Sequence, residues 1–155
     1  MLDSLLGELQ RSTGASFRSG TFADRLRIQK TVYLLKALGH PAAAYEFNNY
    51  FHGPYSPALA REYYELQEAG TRSGPASGGR TEIPPAMLPI ITEAVSRGNR
   101  FLETAATLHS LAIHNPPFSR EALFRHAGLI KPELRDAFEG AWGFLTTHGV
   151  IAART

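Results

Sequence analysis

Tyr50-Phe51-His52-Gly53-Pro54-Tyr55-Ser56-Pro57 is the densest run of chemistry-bearing residues in the chain. Gly53-Pro54 stops whatever structure precedes it. Ser56 can then cap a new helix, with Pro57 at its first position, where a missing N–H costs nothing. Free N–H groups at a helix start attract carboxylates or phosphates, and Tyr is a frequent interface anchor. The junction can therefore present Tyr50 and Tyr55 to a partner, although its turn and cap would serve the fold with no partner at all. Lys30 and Tyr33 are three apart on one predicted helix and could extend that surface. The simpler packing half-buries Tyr33, with its hydroxyl bonded, and lets Lys30 snorkel past it to water.

Other chemistry is harder to find. Of six histidines, His109 and His114 are five apart and do not share a helix face cleanly, and no paired carboxylates flank them. His40, His126 and His148 follow or approach predicted helix ends, where a cation suits the dipole. Ser56 lies in G-P-Y-S-P, not in a G-x-S-x-G nucleophile elbow. Gly74 to Gly79 lack the Lys-Ser/Thr of a phosphate loop. Glu62 and Glu65 beside Tyr63 and Tyr64 read as surface charges of a helix. No catalytic residue, metal site or cofactor is assigned.

A chain of 155 residues suits one domain, here 1–155, and can bury a core without staples. With no cysteine, disulfides and thiolate chemistry are excluded, which fits a reducing cytoplasm. The net charge of +2 permits a local basic patch without announcing a nucleic-acid protein. The segment MLDSLLGELQ has no basic region before its apolar residues, so it reads as a helix rather than a signal peptide, and no apolar run is long enough for a membrane span.

The elements that must position the junction are mainly helical. Leu2, Leu5, Leu6 and Leu9 mark a helix over 2–10. Thr21 with Asp24 opens a second over about 22–38, carrying Leu26, Ile28, Val32, Tyr33, Leu35 and Leu38 inward until Gly39 ends it. Residues 44–51, with near-alternating aromatics, read as extended. The helix begun at Ser56 runs to about Ala69 with Leu59, Tyr63 and Leu66 inward. Residues 70–85, rich in Gly, Ser and Pro, form a flexible loop or a small hairpin.

The second half predicts a helix over 86–97 and another capped by Asn99, with Phe101, Leu102, Ala105, Leu108, Ala112 and Ile113 on its apolar stripe. Pro116-Pro117 breaks that helix, and Ser119 caps a short one over 120–127. The last spans about 132–147, with Leu134, Ala137, Phe138, Ala141, Trp142 and Leu145 at helical spacing. The fold class is mainly α, a single-domain helical bundle with two or three short strands.

Arg120, Arg125, Lys131 and Arg135 sit on the last two predicted helices, joined by Gly128-Leu129-Ile130. With Val150-Ile151 as a terminal extended piece, this end could be winged-helix-like and bind DNA. Glu133, Asp136 and Glu139 on the would-be recognition helix would repel phosphates, so a solvated face is the first reading.

Three blocks carry a family resemblance. Arg27-Ile28-Gln29-Lys30-Thr31-Val32-Tyr33-Leu34-Leu35 resembles the LQK-x-x-YL helix of the YwgA-like proteins, which are related to the Panacea (SocA-like antitoxin) domains. Tyr45-Glu46-Phe47 through Tyr50, then Gly53-Pro54-Tyr55-Ser56 and Leu59, are similar to that family's F-x-x-Y-x-x-GPYS-x-x-L. Leu102 to Leu108 resembles its LE-x-x-AT helix; together the blocks span about 25–113, and the Gly/Ser stretch with Pro84-Pro85 departs from the pattern. The resemblance implies a mainly α domain without catalytic activity that binds another protein, as an antitoxin binds its toxin or an adaptor its client. The candidate partner-binding residues are then Lys30, Tyr33, Tyr50, Gly53, Pro54, Tyr55 and Ser56. A DNA-binding regulator using Arg120, Arg125, Lys131 and Arg135 is the alternative, and a homodimer is left open.

Overall fold

From Ile28 to Leu35 the second helix is buried on every side, so it has no solvent stripe there and must be enclosed by the rest of the chain. The computed structural model describes residues 2–50, 53–70, 83–115 and 119–151. In order these form α1 (Leu2–Thr13), α2 (Phe22–Ala37), β1 (Asn48–Tyr50), β2 (Gly53–Tyr55), α3 (Pro57–Glu68), α4 (Leu88–Ser96), α5 (Asn99–His114), α6 (Arg120–Ile130) and α7 (Phe138–Thr147). Short 3-10 turns occupy Pro41–Ala43 and Pro132–Ala137. The protein is mainly α.

α2 and α5 pack against each other at the centre. α3 and α4 also close on α2, α6 and α7 close on α5, and β2 lies against both central helices. α1 covers α3 and α4 with Leu2, Leu5, Leu6 and Leu9, all buried as their spacing predicts. Three side-chain caps read from the sequence hold: the hydroxyls of Thr21, Ser56 and Ser119 accept the N–H groups of Asp24, Leu59 and Ala122 at 3.1, 3.1 and 3.0 Å. Each contributes about 1 kcal/mol to its helix. Within α1, buried Glu8 accepts the N–H of buried Ile83 at 3.1 Å and so ties the segment before α4 to α1. Residues 71–82, most of the predicted loop or hairpin, lie outside the described residues.

Several expectations are corrected. Asn99 does not cap α5: Gly98 occupies the cap position at φ +100°, a conformation suited to a residue without Cβ. Asn99 instead stitches the two central helices together, accepting from Arg27 Nε at 3.1 Å and donating to the carbonyl of Ala23 at 2.9 Å. Ile113 turns outward and is 54% exposed, because the last turn of α5 runs past the core. Of the expected extended segment 44–51, Asn48–Tyr50 form a strand and residue 51 lies outside the described residues; the partner strand is Gly53–Tyr55 itself, in antiparallel register with Tyr50 opposite Gly53 and Asn48 opposite Tyr55. α4 begins at Leu88, because Pro84 to Met87 form a turn.

The C-terminal end differs most from its winged-helix expectation. Gly128, Leu129 and Ile130 are helical, so α6 absorbs the supposed link. The last helix is divided, with a 3-10 turn from Pro132 leading into α7 at Phe138. Val150 and Ile151 form no strand: both N–H groups return to the carbonyl of Leu145, at 2.8 and 3.1 Å, and close the end of α7 after Gly149 at φ +70°. Among the described residues the only sheet is the two-stranded β1–β2 hairpin.

Candidate functional site

The Gly-Pro-Tyr-Ser junction is an internal joint between α2, the hairpin and α3. Gln29, 1% exposed, grips both sides of the Ser56 peptide: its Oε1 accepts the Ser56 N–H at 2.8 Å and its Nε2 donates to the Ser56 carbonyl at 2.9 Å. One helical position on, Lys30 donates its ammonium to the carbonyl of Pro54 at 2.7 Å. Lys30 is also 1% exposed, so it does not snorkel to water as the sequence suggests. Burial pulls its pKa down to about 8, opposed by the nearby Glu103 carboxylate and reinforced by Lys131. Lys131 reaches the same Glu103 at 3.3 Å, so one carboxylate serves two interior cations. Gly53 fits against Thr107 with no room for a side chain, and Thr107 Oγ1 finds no hydrogen-bond partner among the described residues.

Of the seven candidate docking residues, Lys30, Tyr33, Gly53, Pro54 and Ser56 are buried and bind the chain to itself. Tyr55 is half-buried against the core, and the Tyr50 side chain lies outside the described positions. The joint is brought together as the sequence suggests, but it faces inward.

Arg120, Arg125 and Arg135 do converge, around a surface hollow of about 430 Å³ floored by Phe124 and Phe138. Lys131 does not join them. It is 6% exposed and turned toward Glu103, because its place between α6 and the 3-10 turn points it at α5. Arg120 pairs with Glu139 and lies over the Phe124 ring, 4.7 Å from its centroid. Arg135 donates to the Gly128 carbonyl at 3.2 Å, and nearby Arg100 pairs with Asp136. Arg125 makes no hydrogen bond or ion pair among the described residues. About one turn beyond Arg125 on α6, Leu129 and Ile130 are 78% and 50% exposed.

A second concavity, of about 320 Å³, opens between α2, α5 and the segment before β1. At its base the Tyr33 hydroxyl meets His109 Nδ1 at 2.7 Å, and burial holds the Tyr33 hydroxyl protonated well above its ordinary range. Burial also lowers the His109 pKa to about 4, so this imidazole is neutral at physiological pH. Its ordinary value is 6.5, so between 4 and 6.5 the unfolded chain binds more protons than the folded one, and stability falls as pH falls. From pH 7 to about pH 4.5 the loss attributable to His109 is about 2–3 kcal/mol. Urea unfolding at both pH values should show the drop in the wild-type protein and a smaller one in His109→Gln.

Compared with protein-family models, curated proteins and solved structures, the chain finds no match. Among those described, no group of three or more His, Asp or Glu is placed to hold a metal, and no helix is long and apolar enough to cross a membrane. Sequence reasoning missed His109, dismissing it only as a metal ligand, and missed Glu103 as the counter-charge of Lys30. A polar residue at an apolar position of α5 was the one available signal for His109. Its partner Tyr33 lies 76 residues away.

Proposed function

We propose that this chain is a non-enzymatic protein-binding domain, YwgA/Panacea-like and acting as an antitoxin or adaptor does, whose docking surface is the hollow between α6 and α7. The observation that carries the reading is the aromatic floor of Phe124 and Phe138 rimmed by Arg120, Arg125 and Arg135 together with Glu121, with Leu129 exposed one turn beyond Arg125 on α6. Arg and aromatic side chains dominate interface hot spots. The occupant that fits is a partner segment with an apolar anchor for the floor and a carboxylate for Arg125, the rim arginine that has no partner among the described residues. A DNA-binding role draws less support, because Lys131 is interior and Arg120 and Arg100 already have carboxylate partners.

The test is copurification from the native cell followed by reconstitution with the identified partner. Wild-type protein should retain a protein that the double variant Arg125→Glu, Leu129→Ser binds at least about tenfold more weakly, a loss of about 1.4 kcal/mol. Equal retention by both, or binding to duplex DNA that weakens steeply with salt, would overturn the reading.

A further inference from the structure

The concavity between α2 and α5 has the chemistry of a small-ligand site, independent of the α6–α7 hollow. Its walls are mixed: the Tyr33 and Phe47 rings meet edge to face at 5.2 Å, Ile113 is 54% exposed at the mouth, and Ser110 and His114 line the α5 side, with His114 Nδ1 at 2.8 Å from the Ser110 carbonyl. The base is uncharged, formed by the neutral His109 ring and the Tyr33 hydroxyl. A volume of about 320 Å³ lies at the small end of the range for ligand pockets.

The mouth carries charge of both signs. Lys36 lines it with an ammonium that donates to the Tyr45 carbonyl at 2.6 Å and lies 5.7 Å from the Phe47 centroid. An ammonium has three N–H donors, so two stay available. Glu46 lines it too, exposed and with no hydrogen bond or ion pair among the described residues. Lys36 and Glu46 do not pair with each other. A lone anion would meet Glu46 as a repulsion, and a lone cation would meet Lys36 in the same way. A zwitterion satisfies both, with its carboxylate on Lys36 and its ammonium on Glu46, and an apolar body fills the space between the rings.

We propose that this cleft binds a free apolar or aromatic α-amino acid, held at its charged end by Lys36 and Glu46 and enclosed by Tyr33, Phe47 and Ile113. The side chain packs between the Tyr33 and Phe47 rings, toward the His109 ring.

The experiment uses the full chain and three probes: L-phenylalanine, 2-phenylethylamine and 3-phenylpropanoate, the last two each lacking one charge. Calorimetry gives affinities, and amide chemical shifts of Phe47, His109 and Ile113 locate the binding. L-phenylalanine should bind at least tenfold more tightly than either single-charge probe. Lys36→Met and Glu46→Gln should each weaken it about tenfold, and Ile113→Trp, which fills the mouth, should abolish the shifts. All three substitutions are at exposed positions, and thermal unfolding verifies that each variant folds. No shift at these residues with millimolar L-phenylalanine, equal affinity for a single-charge probe, or indifference to Lys36→Met and Glu46→Gln would each overturn the proposal.

Discussion

Glu103→Gln should destabilise the fold by about 3–5 kcal/mol at pH 7, whereas Lys30→Met should change it by no more than about 1–2 kcal/mol. The difference lies in which charge is left alone. Glu103 is the carboxylate facing both Lys131, at 3.3 Å, and Lys30, whose ammonium charge it favours. Its removal strands two interior cations against one another, and breaking a buried pair from one side costs far more than the pair itself contributes. Removing Lys30 instead takes away an ammonium that already pays for its burial, as its pKa of about 8 records. Against that gain stands the Pro54 carbonyl, which loses the hydrogen bond it accepts at 2.7 Å.

The same group sets a pH signature. The folded pKa of Lys30 is lowered from 10.5 to about 8, so between those values the unfolded chain binds more protons and stability rises with pH. Wild type should therefore gain about 2–3 kcal/mol relative to Lys30→Met between pH 7 and about pH 10. Tyr33, Tyr45 and Tyr63 all have raised pKa values and act in the opposite sense above their ordinary value of 10, but both proteins share them and they cancel in the difference. Denaturant unfolding of the three proteins across this range is the measurement. A Glu103→Gln variant as stable as Lys30→Met, with a pH-independent difference between wild type and Lys30→Met, would show that the interior charges are not coupled.

These effects were not legible in the sequence, and the reason is physical. Caps and apolar stripes are local: Thr21 and Ser56 reach three residues ahead, and the leucines of α1 share one face at short spacing. That information was sufficient for the helices and for the corner at Ser56. Burial of Gln29 and Lys30 depends on groups 24 to 27 residues away and on Glu103 across the core. Nothing in the α2 stripe separates a lysine that snorkels from one whose ammonium is clasped by a carbonyl. The bare rule that lysines stay outside predicts the wrong answer. Lys131 repeats the lesson. Sequence adjacency groups it with Arg120, Arg125 and Arg135, but the 3-10 turn that follows it turns its side chain inward, leaving the three arginines together without it. Interior residues of the family-like blocks thus hold α2, the hairpin and α3 in place, while Glu46 and Arg125, neither of them among the seven candidate docking residues, have no hydrogen bond or ion pair among the described residues.

Gly53→Ala should cost roughly 2–5 kcal/mol, and two separable causes contribute. The first is conformational: Gly53 sits at φ +87°, where an L side chain costs about 1–2 kcal/mol. The second is steric: a Cβ there would stand 2.6 Å from Thr107 Oγ1, an overlap against a buried side chain of α5 that costs about 1–3 kcal/mol. Thr107→Ala separates them. It removes the overlapping oxygen and leaves the Thr107 Cβ at 3.7 Å, an ordinary contact. Alone, that substitution should be mild, since the oxygen it deletes has no hydrogen-bond partner among the described residues. In the double variant the steric part should return, giving a coupling of about 1–3 kcal/mol, while the conformational cost persists. The Lys30 ammonium lies 3.8 Å from the added Cβ, close enough to touch but not to clash, so the pH signature of Lys30 should survive in the double variant. A four-protein denaturation cycle reads both quantities. Simple additivity of the two substitutions would mean that α5 gives way at Thr107, and that the tight seat of the hairpin on α5 is not what fixes the joint.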